Sequence, residues 1–293
     1  MAGSISNLLS NKDAVDRNAY TTASVSPTAN KLQLLAVDSM TQLSTNPNQP
    51  TVSGCGLTWV AINSIVYDSS SVGRRRVTLF RALGASPSSG ALAIDFAGQT
   101  QTACTWSLNE ATPIDLTGTN GSGAVVQSAT NSAEGANTPP LVITLAGFGN
   151  ANNMTFRCFG AIDNQAIAPE AGYTELSDLW DGEGDELETA WKATSDTSPS
   201  ASGDGHDSIG GIAIEIKFLP TIALTGTATA SITEADIVTG GKTIILTITN
   251  DTWVASGATF DAQRQNIING LDSAQAEATG WDAEVKAKIP VTN

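Results

Sequence analysis

Charge is scarce in this chain. Asp, Glu, Lys and Arg supply 15% of its 293 residues, well under the usual quarter, so its surface must be built largely from Ser, Thr, Asn and backbone amides. Basic charge is scarcer still. Against 29 Asp and Glu stand 14 Lys and Arg, giving a net charge of −15. Phosphate binding needs a basic stripe, so this balance argues against nucleic acid as a partner. The one basic run is Arg74-Arg75-Arg76. In a strand, alternation sends Arg75 to the face opposite Arg74 and Arg76, and the run reads as a solvated strand edge or subunit contact rather than an anion site.

Aromatics are also few, at 5%, while hydrophobic residues reach 41%. Cores must then be filled mostly by small and branched side chains, which suits many short strands joined by tight turns. Histidine occurs once, at His206. A Ser–His–Asp triad would have to use it, and no Gly-x-Ser-x-Gly elbow is present to supply the serine. The three cysteines, Cys55, Cys104 and Cys158, lie 49 and 54 residues apart. That is no zinc spacing, and an odd number leaves at least one unpaired. Each sits in an apolar or strand-like stretch and reads as a buried small hydrophobe, consistent with folding in a cytoplasm. No apolar run reaches the length of a membrane span. The segment Met1-Ala2-Gly3-Ser4-Ile5-Ser6-Asn7 has neither the basic nor the apolar region of a secretory signal.

What is present is a period-2 pattern. Residues 1–24 are polar with scattered apolar anchors at Ile5, Leu8 and Leu9. They read as an N-terminal arm with a helical turn or two, too poor in apolar surface to order itself alone and therefore an interface element. Over residues 25–219 strands are predicted at Leu32–Val37, Leu57–Ile62, Arg76–Ala82, Ala91–Phe96, Thr102–Leu108, Val125–Ser128, Leu141–Leu145, Met154–Ile162 and Ile209–Phe218, with turn formers between them. In the last of these, Ile212, Ile214 and Ile216 share one face. The count suits two packed antiparallel sheets, a large sandwich of jelly-roll type.

Pro220 marks the start of a smaller domain, 220–293. Strands are predicted at Ile222–Thr225, Thr229–Ile232 and Lys242–Ile248, followed by a helix whose apolar face is Phe260, Ile267, Ile268 and Leu271. Ile244, Leu246 and Ile248 form an apolar strand face that needs a cover. Residues 243–249 are expected to pair with 284–291 or with a neighbouring subunit.

The segment from Ala168 to Gly205 differs in texture, with Trp180, Trp191 and an acidic cluster. It reads as a strand pair around Thr174–Leu176 and Thr189–Ala193 joined by an acidic loop. The loop Asp181-Gly182-Glu183-Gly184-Asp185-Glu186 resembles a calcium loop at first sight, but the EF-hand pattern wants Gly at position six and Glu at twelve. Counting from Asp181, those positions hold Glu186 and Lys192. A looser calcium site using Asp181, Glu183 and Asp185 stays open beside the plainer reading of a solvated acidic loop; no other cofactor is indicated. Asp204, His206 and Asp207 read as a glycine-rich turn. Glycoside hydrolysis needs two acids facing each other across a cleft, whereas the acids here cluster in one loop. No phosphate-binding glycine loop is present.

Two stretches are similar to tailed-bacteriophage structural proteins. Leu32-Gln33-Leu34-Leu35, Val52 to Trp59, Thr78 to Ala82 and Ile212 to Lys217 resemble the sandwich domains of phage head-surface and tail-appendage proteins. Thr243 to Val254, Phe260 to Gln265 and Gly280-Trp281 resemble the small immunoglobulin-like modules appended to them, although in those modules further strands usually follow the helix. The resemblance implies a mainly β virion component with no catalytic residues, made in the host cytoplasm and located on the virion surface. Its expected partners are copies of itself, as a trimer with a dimer as runner-up, and other virion proteins such as the major capsid protein. A head decoration (cement) protein is the leading expectation. A receptor-binding fibre or spike that uses Trp180 and the acidic loop on host glycan comes second, and a glycan hydrolase third.

Overall fold

The run Leu32 to Val37 places apolar side chains on both faces of a strand, and such a strand must be covered on both sides. A computed structural model of the chain describes residues 3–42, 45–68, 73–134, 140–162, 166–182, 184–202 and 208–218, with the short strands Ile222–Leu224 and Leu246–Ile248. Among the described residues the protein is all strand and turn, and no helix is long and apolar enough to cross a membrane. The chain divides into two units, Ala2–Leu219 and Pro220–Asn293, the latter grouped with Met1.

The first unit contains two five-stranded antiparallel sheets. One is ordered β1 (Ser4–Asp13), β9 (Ala103–Thr112), β3 (Leu32–Thr41), β7 (Arg74–Ala82), β6 (Val60–Tyr67). The other is ordered β10 (Val125–Glu134), β17 (Ser208–Ile216), β12 (Met154–Ile162), β15 (Asp185–Lys192), β14 (Thr174–Trp180). They face each other across a core that takes Leu34, Ala36, Val77 and Leu79 from one and Phe156, Leu187, Ile212 and Ile214 from the other.

Each sheet is covered on its far side as well. A four-stranded sheet, β2 (Ala19–Thr21), β8 (Leu92–Asp95), β4 (Thr51–Gly54), β5 (Leu57–Thr58), lies over the first. Tyr20, Leu92, Ile94 and Phe96 there pack on Leu35, Val37, Trp106 and Leu108. A three-stranded sheet, β11 (Leu141–Val142), β16 (Ser200–Ser202), β13 (Ala168–Pro169), serves the second. Leu141, Ile143, Ile167 and Ala201 pack on Phe159, Ala161, Ile209 and Ala213. The central strands are therefore buried on both faces. Alternation assigns Leu34 and Ala36 of β3 to one core and Leu35 and Val37 to another. The two packed sheets expected for residues 25–219 thus become four layers with three cores.

The two halves follow one plan. In each, the first strand of the half pairs with its last (β1 with β9, β10 with β17), the last with the third (β3, β12), and the third with the second strand of a later hairpin (β6–β7, β14–β15). The cover sheets are ordered alike too, β2-β8-β4 and β11-β16-β13.

The N-terminal segment departs from the expected arm with helical turns. Ser4–Asp13 is an edge strand in register with β9 from Ser4↔Thr112 to Asp13↔Cys104, with an irregularity between Asn7 and Leu9. Ile5 is buried in the core between the five-stranded sheets, and Leu8 and Leu9 pack against the core under the first cover sheet. These three side chains contribute to the fold itself, where an interface role was expected. The segment orders because ten backbone positions add to an existing sheet, a source of stability that polar composition does not display.

In the second unit, β18 (Ile222–Leu224) pairs antiparallel with β19 (Leu246–Ile248), Ile222 opposite Ile248 and Leu224 opposite Leu246. One edge of Leu246–Ile248 is thus taken by a strand near Pro220. Ile244, the strand at 229–232, the helix from Phe260 and residues 284–291 lie outside the described residues.

Candidate functional site

The facing five-stranded sheets enclose an unusual set of buried polar and charged side chains. Parity along each strand puts them there. Asp38 continues the inward series of Leu34 and Ala36, Arg75 that of Val77 and Leu79, and Asp185 that of Leu187, while Tyr67 ends β6 on its inward face. Asp38, Tyr67 and Asp185 are fully buried and Arg75 nearly so.

The Tyr67 hydroxyl donates to Asp38 Oδ2 at 2.5 Å, and the Ser39 amide donates to Asp38 Oδ1 at 3.0 Å. Arg75 Nε donates to Asp185 Oδ1, while its Nη1 donates to Asp68 Oδ2 at 3.1 Å and to the Gly73 carbonyl at 2.6 Å. Asp181 holds the turn before β15, its Oδ1 accepting the amides of Gly184 at 2.9 Å and Asp185 at 3.0 Å. Burial, with the neighbouring Asp185 charge, drives the Asp38 carboxyl well above its ordinary range. Burial also lifts Asp185 to about 7, against the pull of Arg75. Tyr67 is raised by burial and by the Asp38 charge. Sealed from solvent, the group can tie the two halves of the unit together, because Arg75 belongs to the first half and Asp185 to the second.

A second buried ion pair lies on the other face of the second sheet. Arg157 Nη2 donates to Glu188 Oε1 at 3.1 Å, both side chains being wholly buried. The guanidinium carbon stands 4.5 Å from the Tyr173 ring centroid and 5.1 Å from that of Phe159, within cation–π range. Burial raises Glu188 to about 8, with Arg157 opposing the rise.

Asp181 and Asp185 are turned into the protein, the latter committed to Arg75. Glu183 lies outside the described residues, as does His206. Among the described residues no group of three or more His, Cys, Asp or Glu side chains is arranged to hold a metal ion. The expected strand pair around the loop is present as the β14–β15 hairpin. Trp191 packs against the core between the five-stranded sheets, while Trp180 is 39% exposed with the Lys12 ammonium 5.8 Å from its ring centroid. Cys55, Cys104 and Cys158 are free and buried. The Arg74–Arg76 run is neither a solvated edge nor an anion site at its centre: alternation sends Arg75 inward to its carboxylates. Asp38 and Tyr67 were missed from sequence. The available signal was a lone acid inside the apolar strand Leu34-Leu35-Ala36-Val37-Asp38, since a buried charge calls for a partner.

No family model matches the chain, and it matches no curated protein and no solved structure.

Proposed function

We propose that this chain is a non-enzymatic virion structural protein of the tailed-phage kind, a head decoration protein acting through its surfaces, and that each half of Ala2–Leu219 is a jelly roll. The observation that carries the reading is strand order. Counting β10 to β17 as one to eight, one sheet runs 1-8-3-6-5 and the other 2-7-4, and the first half runs the same way with β4 and β5 counted together. A jelly roll has the same order except that its strand five pairs with four rather than with six, and this likeness supports the reading. Jelly rolls build viral capsid proteins as well as lectins and cupins, and fold alone does not choose among these. Two features favour the virion side. The spaces between sheets, where a ligand would sit in a concave pocket, are packed by Tyr20, Phe96 and Trp106 in one half and by Ile143, Phe159 and Ile167 in the other. The strongly perturbed acids are sealed in the interior. In this reading Pro220–Asn293 is a small immunoglobulin-like module, the chain is a homotrimer, and its partner on the particle is the major capsid protein.

The test is co-sedimentation of the purified chain with phage heads, alongside light scattering of the chain alone. Saturable binding to heads is expected. Binding confined to tails or to host glycan, with none to heads, overturns the decoration reading. The exposed Trp180 favours a second reading, recognition of host glycan. It predicts glycan-array binding that Trp180→Ala abolishes.

A further inference from the structure

We propose that Asp38, Tyr67, Arg75 and Asp185 form a pH-sensitive clamp between the two halves of Ala2–Leu219, closed while one of its carboxyls holds a proton and loosened as the pH rises past neutrality.

The geometry sets an imbalance of charge. Arg75 reaches Asp68 from its own half and Asp185 from the other, so two carboxylates already answer one guanidinium. Asp38 is bonded to neutral donors, the Tyr67 hydroxyl and the Ser39 amide. It therefore brings a further buried carboxyl without a further cation. Asp185 Oδ2 is buried and, among the described residues, has no hydrogen-bond partner, so nothing there offsets a full negative charge on that oxygen. Among the described residues, the surrounding elements add no compensating charge. Thr105 of β9 stands opposite Asp38 in register. Strand β12 presents Cys158 and Gly160, and β17 presents Gly210 against the Tyr67 ring. Asp181, at the turn into β15, adds negative charge, and Cys104 lies on the far face of β9. A buried carboxylate without a cation is strongly disfavoured, so the group resolves its excess by keeping a proton.

The shifts support this and fix the sign. Asp38 and Asp185 are both raised by burial, Asp185 to about 7. A carboxyl raised in the folded state binds a proton that the unfolded chain has released. Its contribution to stability is full below the ordinary carboxyl range near pH 4 and is lost as the pH rises through the folded value, here around neutrality. Rising pH places a third carboxylate charge against one guanidinium and presses the halves apart.

The full chain is melted from pH 5 to pH 9. The melting temperature is expected to fall by on the order of 5 °C between pH 6 and pH 8.5. Asp38→Asn should remove at least half of that fall, whereas Asp16→Asn, at an exposed position, should keep all of it. Amide exchange corrected for intrinsic rate should rise with pH in β3 and β15 before it rises in β8. Should Asp38→Asn fail to fold, the infrared spectrum of the Arg157→Met/Glu188→Leu protein, which lacks the other raised buried carboxyl, decides: a protonated-carboxyl band present at pH 6 and gone at pH 9 supports the clamp. A melting temperature that is flat or rises over this range, no such band at pH 6, or an Asp38→Asn protein with the whole wild-type fall overturns it.

Discussion

Gly160 on β12 makes room for Tyr67 from the opposite half: a β-carbon built on Gly160 would lie 2.5 Å from the Tyr67 hydroxyl oxygen and 2.8 Å from Asp38 Oδ2. Gly210 on β17 does the same lower on the side chain, where an added carbon would lie 2.8 Å from Tyr67 Cβ. The tyrosine is fitted into the partner sheet through two missing side chains. Gly210→Ala should therefore destabilise the protein by about 1–3 kcal/mol through overpacking. Gly90→Ala, where nothing lies within 4 Å of the new carbon, should stay within about 0.5 kcal/mol of wild type. Urea unfolding of the two variants measures the contrast, and equal effects would show that the seam yields freely.

Arg157 and Glu188 should behave as a unit. Arg157→Met leaves a fully buried carboxyl without its cation and is expected to cost about 3–5 kcal/mol. Adding Glu188→Leu removes the stranded group and should restore most of the loss, because a buried pair contributes little beyond apolar residues of similar size. A double-mutant cycle by chemical denaturation reads the coupling, which should be at least about 2 kcal/mol.

Strand β1 belongs to the folded core, so Ile5→Ala should cost about 2–4 kcal/mol. Deleting residues 1–13 strips the outer edge from β9 and should lower the melting temperature and open the first sheet to limited proteolysis. A truncated protein that melts with the wild type would mean that the segment is dispensable, as a free arm is.

All three thiols are buried. Burial raises Cys55, and raises Cys104 and Cys158 further, which keeps them from the reactive thiolate form. Native protein at pH 8 should give no rapid reaction with a thiol reagent, and all three should react after denaturation. Fast native labelling of one would mark a strand that opens readily.

Strand positions were largely legible. The alternation of Ile212, Ile214 and Ile216 and the two-faced run Leu34 to Val37 placed β17 and β3 because side-chain direction in a strand has a fixed period. The β14–β15 hairpin followed from an acidic, glycine-rich loop between apolar segments. Strand β1 escaped notice because edge strands draw stability from backbone pairing, and Ile5 is a single buried side chain in a polar stretch. The site was legible only in fragments. Alternation separated Arg75 from its neighbours, but the carboxylate it meets on β15 lies 110 residues along the chain, and no local pattern announces such a pairing.

By itself, then, the sequence determined that the described part of this protein is built of strands, which faces of those strands are apolar, and that its charge is acidic and sparse. These are local properties, set by residue type and by a period of two. Tertiary structure alone decided that the sheets stack in four layers, that the two halves repeat one strand order, and that Asp38, Tyr67, Arg75 and Asp185 meet in the seam. Pairing partners are chosen by which distant edges and faces fit together, and that choice is a property of the whole packed chain.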